Sequence, residues 1–257
     1  FGQVGGTGNN YAVGGARTDH SGALGLLNYA LPTGIAAQVD FYLTRTGNLA
    51  DPGGLYFILG GGNDLRDAAR IADPTQRMLA AQQAGANLAY SVRDLYLAGA
   101  RQFVLINSPD VGLIPETLGD GLSAAGTDAS IQFNTWYGLY GDYLRSVPDF
   151  SLQYFDLFSL HRELVAQYGM DAVRTCKSTP STCDSSLFFD SVHPTAWVHK
   201  IIGDRIADQI LGGAGSRLSY SMTAAADVAT PEPASAVLTL SALTVLVVVR
   251  RRRSRAA

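Results

Sequence analysis

The sequence is poor in charged side chains, and this scarcity excludes several protein classes. Charged residues make up 16% of the 257 positions and hydrophobic residues 47%, so the chain is not a disordered polyelectrolyte. The same composition excludes a membrane protein with many spans. The net charge is −3, which leaves no surplus of Lys and Arg to neutralise phosphates. We therefore expect no nucleic-acid partner.

Cysteine is nearly absent as well. The two cysteines, Cys176 and Cys183, lie close together in a polar, loop-like stretch. Such a pair suits a redox motif, half of a metal site or a local disulfide. A zinc site is disfavoured because the cysteines lack ligand spacing and His199 follows His193 by six residues, off the same helical face. We therefore expect no metal site.

The charge that is present is unevenly distributed. Residues 231–257 hold five Arg and one Glu, a net charge of +4, whereas the other 230 residues carry 14 basic and 21 acidic side chains. Within this tail, 234–249 contains 16 residues without a charge, near the lower limit for a transmembrane helix. The arginines that follow would stay in the cytoplasm. A single-pass C-terminal anchor is therefore one interpretation.

The order of features in the tail favours a more specific interpretation. Pro231, Glu232 and Pro233 precede the apolar segment 234–249, and an Arg-rich end follows it. This three-part pattern resembles the PEP-CTERM sorting signal of Gram-negative bacteria. The resemblance implies export across the inner membrane, transient anchoring by one apolar transmembrane helix, and processing by an exosortase that leaves the protein at the cell surface or secreted. The small, polar residues 212–230 are predicted to be a linker.

The rest of the chain alternates between apolar runs and amphipathic segments. The runs that predict strands lie at 54–60, 101–107 and 150–155. The segments that predict helices lie at 75–98, 127–147, 156–168 and 194–211. Such alternation predicts an α/β protein with a parallel sheet that is covered on both faces. In sheets of this kind, ligands bind beyond the carboxyl ends of the strands.

A glycine cluster follows the first predicted strand. Gly60, Gly61 and Gly62 precede Asn63 and Asp64, and glycines let a backbone approach a ligand closely. Asn63 is a candidate donor of a side-chain hydrogen bond to an oxyanion. The alternative is a tight turn with the asparagine in a left-handed conformation.

The last predicted helix is preceded by Asp190, Ser191 and His193. At this junction of loop and helix, His193 is a candidate general base. Asp190, three residues earlier, is a candidate partner that orients the ring and stabilises its protonated form. In the alternative interpretation, Asp190 or Ser191 caps the helix and His193 is incidental.

A third candidate segment, 10–18, contains Gly14 and Gly15. Its backbone is a candidate source of an amide for the same oxyanion, although an ordinary glycine turn has the same composition. The glycines at 5–8 do not predict a phosphate loop, because no strand precedes them and no Lys-Ser/Thr pair follows.

These segments together carry a family resemblance. NYAVGGART at 10–18, GGND at 61–64 and FFDSVHPT at 188–195 resemble three sequence blocks of the GDSL, or SGNH, hydrolases. The surrounding sequence is similar to the branch of esterases, lipases and lysophospholipases. The resemblance implies a flavodoxin-like three-layer α/β/α sandwich over residues 1–211 and an enzyme that hydrolyses carboxylic esters.

The resemblance also implies roles for single residues. Asp190 and His193 match the acid and the base of a Ser-His-Asp triad. The backbone amide of Gly15 and the side chain of Asn63 match the donors of the oxyanion hole. A mechanism of this kind requires neither a metal ion nor a cofactor.

The resemblance does not extend to the nucleophile. The family serine lies in a Gly-Asp-Ser-Leu-type block upstream of 10–18, and this chain contains no Gly-Asp-Ser. Ser21 comes after 10–18, and Ser191 lies between the acid and the base, so we name no nucleophile in this chain. We expect the first strand, its serine loop, the following helix and a signal peptide to precede Phe1. Without them, the polypeptide is expected to be inactive.

Further expectations depend on the export signal. In an oxidising periplasm, Cys176 and Cys183 are expected to form a disulfide that stiffens the loop leading to Asp190 and His193. Two other functions stay open: a polysaccharide O-acetyl esterase of the extracellular matrix, and a non-catalytic surface protein that lost the serine. The expected partners are an ester substrate, the exosortase and, before processing, the inner membrane.

Overall fold

The computed structural model of the chain describes residues 9–22 and 33–212. The chain divides into two compact units, Phe1–Ala214 and Gly215–Ala257, and the second lies outside the described residues. The predicted linker beyond residue 212 and the predicted sorting signal at 231–257, with its apolar helix at 234–249, also lie outside them. Among the helices of the described ranges, none combines the length and apolar character that a bilayer span needs.

Three short parallel strands form the sheet of the described residues. They are β1 (Leu55–Leu59), β2 (Gln102–Ile106) and β3 (Ser151–Phe155), in the order β1-β2-β3. The register pairs Leu55 with Gln102, and Gln102 with Ser151. Helices lie between successive strands, as parallel connections require. The predicted α/β class and parallel sheet are confirmed, and each strand end lies within one residue of the predicted one.

Seven α-helices lie within the described ranges. They are α1 (Ile35–Arg45), α2 (Gly62–Ala69), α3 (Pro74–Ala98), α4 (Pro115–Gly119), α5 (Ser123–Arg145), α6 (Leu157–Tyr168) and α7 (Ala196–Leu211). Four of them, α3, α5, α6 and α7, confirm the predicted helices. Their boundaries lie within two residues of the predicted ones, except that α5 begins at Ser123, four residues before the predicted start. The sequence pattern does not predict α1, α2 or α4.

The long helix α3 shows how local sequence defines an element. Asp73 accepts hydrogen bonds from two backbone amides of the first turn at 2.8 and 3.0 Å, and Pro74 is the first helical residue. Gly99 ends the helix with a φ of +122°. Within the helix, Gly85 permits a close approach of α5, because a Cβ there would lie 3.3 Å from the carbonyl oxygen of Phe133. The two helices therefore pack tightly together.

Aromatic residues pack against one face of the sheet. Phe103 of β2 stacks on Phe150 with ring centroids 4.9 Å apart, and Tyr154 of β3 contacts Tyr137 of α5. Phe103 and Tyr137 are fully buried. Val104 points to the opposite face and is buried too. Both faces of the middle strand β2 are therefore covered.

The cover is incomplete over β1, which lies at one edge of the described sheet. Leu55, Phe57 and Leu59 share a face with Val104 of the paired strand, yet 41, 53 and 52% of their surface is exposed. Parallel strands that are apolar on both faces normally lie inside a sheet, not at its edge. Within the described residues, one apolar face of β1 is therefore only about half covered, and one edge of β1 pairs with no strand.

Candidate active site

Asp190 and His193 form a close pair in the loop before α7. The Nδ1 atom of His193 lies 2.8 Å from Oδ2 and 3.0 Å from Oδ1 of Asp190. Oδ1 also accepts the backbone amides of Val192 and His193 at 2.9 and 2.7 Å. Asp190 thus closes its own turn, whereas the N-cap residue of α7 is Thr195. The alternative in which Asp190 or Ser191 caps this helix is wrong.

The hydrogen bonds at Asp190 determine its charge. Partial burial raises the pKa of the carboxyl, but the amides of Val192 and His193 and the His193 ring lower it by more, so the net pKa lies below its usual value. Asp190 is therefore a carboxylate at neutral pH. A carboxylate at this position keeps the proton of a neutral imidazole on Nδ1 and the lone pair on Nε2. A general base needs this tautomer.

The Nε2 side of His193 is open. The side chain is 69% exposed, and Nε2 forms no hydrogen bond with the residues that the structure describes. Ser21 donates its hydroxyl to Asp19 at 2.6 Å instead. The described part of the chain therefore supplies a candidate base and a carboxylate that holds its ring, and no serine hydroxyl there is bound to that ring.

A disulfide and backbone hydrogen bonds constrain the loop that carries Asp190 and His193. Cys176 and Cys183 form a disulfide. The backbone amide of Cys176 donates to the carbonyl groups of Phe188 and Phe189 at 3.1 and 3.2 Å, and the Phe189 amide donates to the His193 carbonyl at 2.8 Å. Two successive backbone hydrogen bonds thus connect the bridged Cys176 to the candidate base.

Asn63 lies in the first turn of α2, so the alternative of a turn with a left-handed asparagine is wrong. The left-handed residue is Gly61, with a φ of +97°, and a Cβ there would lie 2.6 Å from the Phe133 ring. The Asn63 Nδ2 donates to the Ala16 carbonyl, and its Oδ1 accepts from Arg66, both at 2.9 Å. These partners fix the amide orientation and leave one N–H for another acceptor.

The segment that carries Gly15 is bound to α2. Thr18 donates its backbone amide and its hydroxyl to the Asp64 carboxylate, the hydroxyl at 2.7 Å. Burial raises the pKa of Asp64, although these bonds act against that shift. Gly15 has a φ of +80°, and its N–H has no acceptor within the described residues. Because the neighbouring Ala16 carbonyl binds Asn63, the two predicted oxyanion donors are brought together.

A cavity of about 180 Å³ lies between these segments. Ala12, Val13 and Ala16 line one side and 60–63 the other. It lies at the carboxyl end of β1, where parallel sheets bind ligands. In the same described ranges, no three His, Cys, Asp or Glu residues are grouped closely enough to hold a metal ion.

Arg66 and Glu116 belong to the site, although the sequence pattern does not reveal them. The Arg66 guanidinium forms a two-point ion pair with the Glu116 carboxylate, with Nη2 and Oε1 2.7 Å apart. This pairing lowers the pKa of Glu116. The backbone amide of Glu116 donates to the Ser191 carbonyl at 3.0 Å. The pair thus connects Asn63 with the turn that holds His193.

Comparison with known proteins identifies the family. The sequence model described as GDSL-like Lipase/Acylhydrolase matches residues 2–206. The chain belongs to this family. Esterase EstA of Pseudomonas aeruginosa and Esterase EstA of Pseudomonas putida are each 34% identical over 231 residues, which cover 77% of this chain and 33% of the relative. An uncharacterized protein in the trpE-trpG intergenic region of Pseudomonas putida is 26% identical over 228 residues, covering 77% of this chain and 36% of the relative.

The GDSL-family match includes all three segments of the site. Residues 10–18, 61–64 and 188–195 lie inside 2–206, and the family resemblance that they carry is confirmed. This GDSL-family chain spans about a third of the length of the curated relatives it matches. The name esterase belongs to those longer proteins, and the roles of single residues here stay predictions.

Proposed function

We propose that the chain is part of an exported serine hydrolase that cleaves carboxylic esters. The observation that carries the proposal is the pair of Asp190 and His193, in which a carboxylate holds Nδ1 while Nε2 stays free. Membership of the GDSL family and similarity to two proteins named esterase support an ester substrate. The proposal includes a flavodoxin-like three-layer sandwich over residues 1–211.

The reaction that we propose is acyl transfer through a serine. The serine hydroxyl attacks the ester carbonyl while Nε2 of His193 takes its proton, and Asp190 stabilises the imidazolium. The free N–H groups of Gly15 and Asn63 donate to the oxyanion, and each such donor is worth about 3 kcal/mol in the transition state. His193 then protonates the leaving alcohol, and water, again with His193 as base, releases the acid.

We propose that the serine comes from a segment outside the described residues, on a strand beside β1. The open edge of β1 and the exposed Leu55, Phe57 and Leu59 support a neighbour at this position. Parallel strands end at the same edge of a sheet. A loop after such a strand would therefore lie close to the cavity that Asn63 lines.

Two histidine variants of the full-length protein test the reaction. His193→Ala is expected to lower kcat/KM for p-nitrophenyl butyrate about a thousandfold or more, because the general base is lost. The matched control is His20→Ala, since the His20 side chain is about as exposed as that of His193 and also pairs with an aspartate, Asp40, at 2.9 Å. The control is expected to keep wild-type activity. Retained activity in His193→Ala, with an unchanged melting temperature, would reject the triad.

We also propose that residues 231–257 are a sorting signal and 212–230 its linker. The order of Pro231, Glu232 and Pro233, the apolar segment and the arginines supports the signal. The disulfide supports export, because such bonds persist in oxidising compartments. We expect the intact protein at the cell surface or in the medium, and an unprocessed Pro231→Ala, Pro233→Ala double variant in the inner membrane.

Fractionation of cells and the mass of the recovered protein measure this processing. Pro148→Ala changes an exposed proline of the body and serves as the control, with wild-type distribution expected. Equal processing of the double variant and the control would reject the sorting signal.

A further inference from the structure

A second cavity lies against the loop of the candidate base. Its volume is about 80 Å³, and its wall is apolar, with Leu164 of α6, Val198 of α7 and Phe188 among the lining residues. Val192 and Pro194, the two residues that flank His193, also line it. The cavity is therefore adjacent to the loop that carries the proposed base. No step of the proposed reaction involves this cavity.

His161 of α6 provides a polar group in this apolar wall, and we call the space the His161 cavity. The side chain is buried, and neither ring nitrogen makes a hydrogen bond of normal geometry with the described residues, although the Asp110 backbone lies close enough to interact with the ring. Burial lowers the pKa of His161 to about 4; Asp110 acts in the opposite direction and Arg162 in the same one. The ring is therefore neutral at pH 7, with one donor and one acceptor.

A buried polar group without a well-formed hydrogen bond is unfavourable in an apolar cavity, unless a ligand atom or a water satisfies it. We infer that the His161 cavity binds the acyl chain of the ester substrate and that His161 hydrogen-bonds to a hydroxyl group on that chain. The inference rests on the proposed function. It adds a substrate class, the esters of short hydroxyacyl groups.

The size and lining of the cavity define this class. Apolar walls with a single polar group are typical of sites that bind a carbon chain in one orientation. A volume of about 80 Å³ is small beside the roughly 300–1,000 Å³ of typical ligand sites. We therefore expect acyl chains of about two to four carbons to be preferred over an octanoyl chain.

Kinetics of the full-length protein test the hydroxyl contact. We expect kcat/KM for p-nitrophenyl 3-hydroxybutyrate to exceed that for the butyrate about tenfold, and octanoate to be poorer than both. His161→Phe keeps a ring of similar size, removes both polar atoms and is expected to abolish the preference. Tyr137→Phe is the matched control, because Tyr137 is a buried aromatic whose hydroxyl also has no hydrogen-bond partner in the described residues. It is expected to keep the preference.

A binding measurement tests the inference independently of ester hydrolysis. The neutral probes are 3-hydroxybutyramide and butyramide, and the readout is the NMR signal of the His161 ring nitrogens, assigned by its loss in His161→Phe. We expect the hydroxyamide to shift this signal and leave that of His20 unchanged. No shift, or equal shifts with both amides, would overturn the inference even if esters are hydrolysed. A selective shift in a protein that hydrolyses no ester would support the ligand and reject the proposed reaction.

Discussion

Glu116 accepts two hydrogen bonds from the guanidinium of Arg66, fifty residues away in the sequence, and donates its own backbone amide to Ser191. The same guanidinium donates to Oδ1 of Asn63. One ion pair thus orients the proposed oxyanion donor and supports the turn of the proposed base. We therefore expect Arg66 to be a positioning residue, which acts through its neighbours and needs no contact with substrate.

Loss of Arg66 is expected to reduce turnover more than binding. In Arg66→Met the Asn63 amide loses the partner that fixes its orientation, and complete loss of an oxyanion donor costs about a hundredfold to a thousandfold in kcat. We expect kcat to fall about tenfold to a hundredfold, with KM changed little. Steady-state kinetics of the full-length protein measure both values.

Arg70→Met is the control for this change. Arg70 also contacts Glu116 and pairs with Asp120, but makes no contact with Asn63. It is expected to have nearly wild-type kinetics. An equal fall in kcat for the two variants would mean that weaker ion pairing of Glu116, not the orientation of Asn63, explains the effect.

Acid is expected to destabilise the protein through His161. The ordinary pKa of histidine is about 6.5, and the folded value is about 4. Between these values the unfolded state binds more protons, so stability falls as the pH decreases from about 6.5, and the loss approaches about 3 kcal/mol at pH 4. The free energy of unfolding, measured with urea, is expected to lose this part of its pH dependence in His161→Phe and to keep it in Tyr137→Phe. Parallel pH profiles of wild type and His161→Phe would disprove the shift.

Gly61 is expected to tolerate no side chain. Its φ of +97° strains any other residue, and a Cβ would lie 2.6 Å from the Phe133 ring. Gly61→Ala is therefore expected to lower the free energy of unfolding by about 2–4 kcal/mol. Gly62→Ala is the neighbouring control, because nothing lies within 4 Å of its added Cβ, and a change of about 0.5 kcal/mol or less is expected. Both free energies of unfolding are measured with denaturant. A similar decrease for Gly61→Ala and Gly62→Ala would contradict this explanation.

The sequence predicts contacts that arise within one element and misses those that depend on packing. Asp190 and His193 are three residues apart in one loop, so their spacing suffices. The three strands are predicted because each is a short apolar run. Helix α2 is missed because the glycines at its start favour a turn. The positive φ of Gly61 and the Phe133 ring packed against it explain the glycine there.

Two features of the structure are not indicated by any local sequence pattern. Arg66 meets Glu116 only through tertiary structure, since the two are fifty residues apart. His161 lies on the buried side of α6 with Leu157, Leu160 and Leu164, so its periodicity indicates a core position. That its ring nitrogens lack a hydrogen bond of normal geometry is visible only when the surrounding residues are placed.

The disulfide has a practical consequence for anyone who produces this protein. Cys176 is two backbone hydrogen bonds from His193, so the bridge constrains the loop of the proposed base. In the reducing cytosol of an expression host both thiols remain free. Protein made there would lack the bridge, and its loop would be less constrained. A low activity of such protein would reflect the missing disulfide rather than the native enzyme. Expression in an oxidising compartment, followed by a thiol assay, should therefore come before any kinetic comparison.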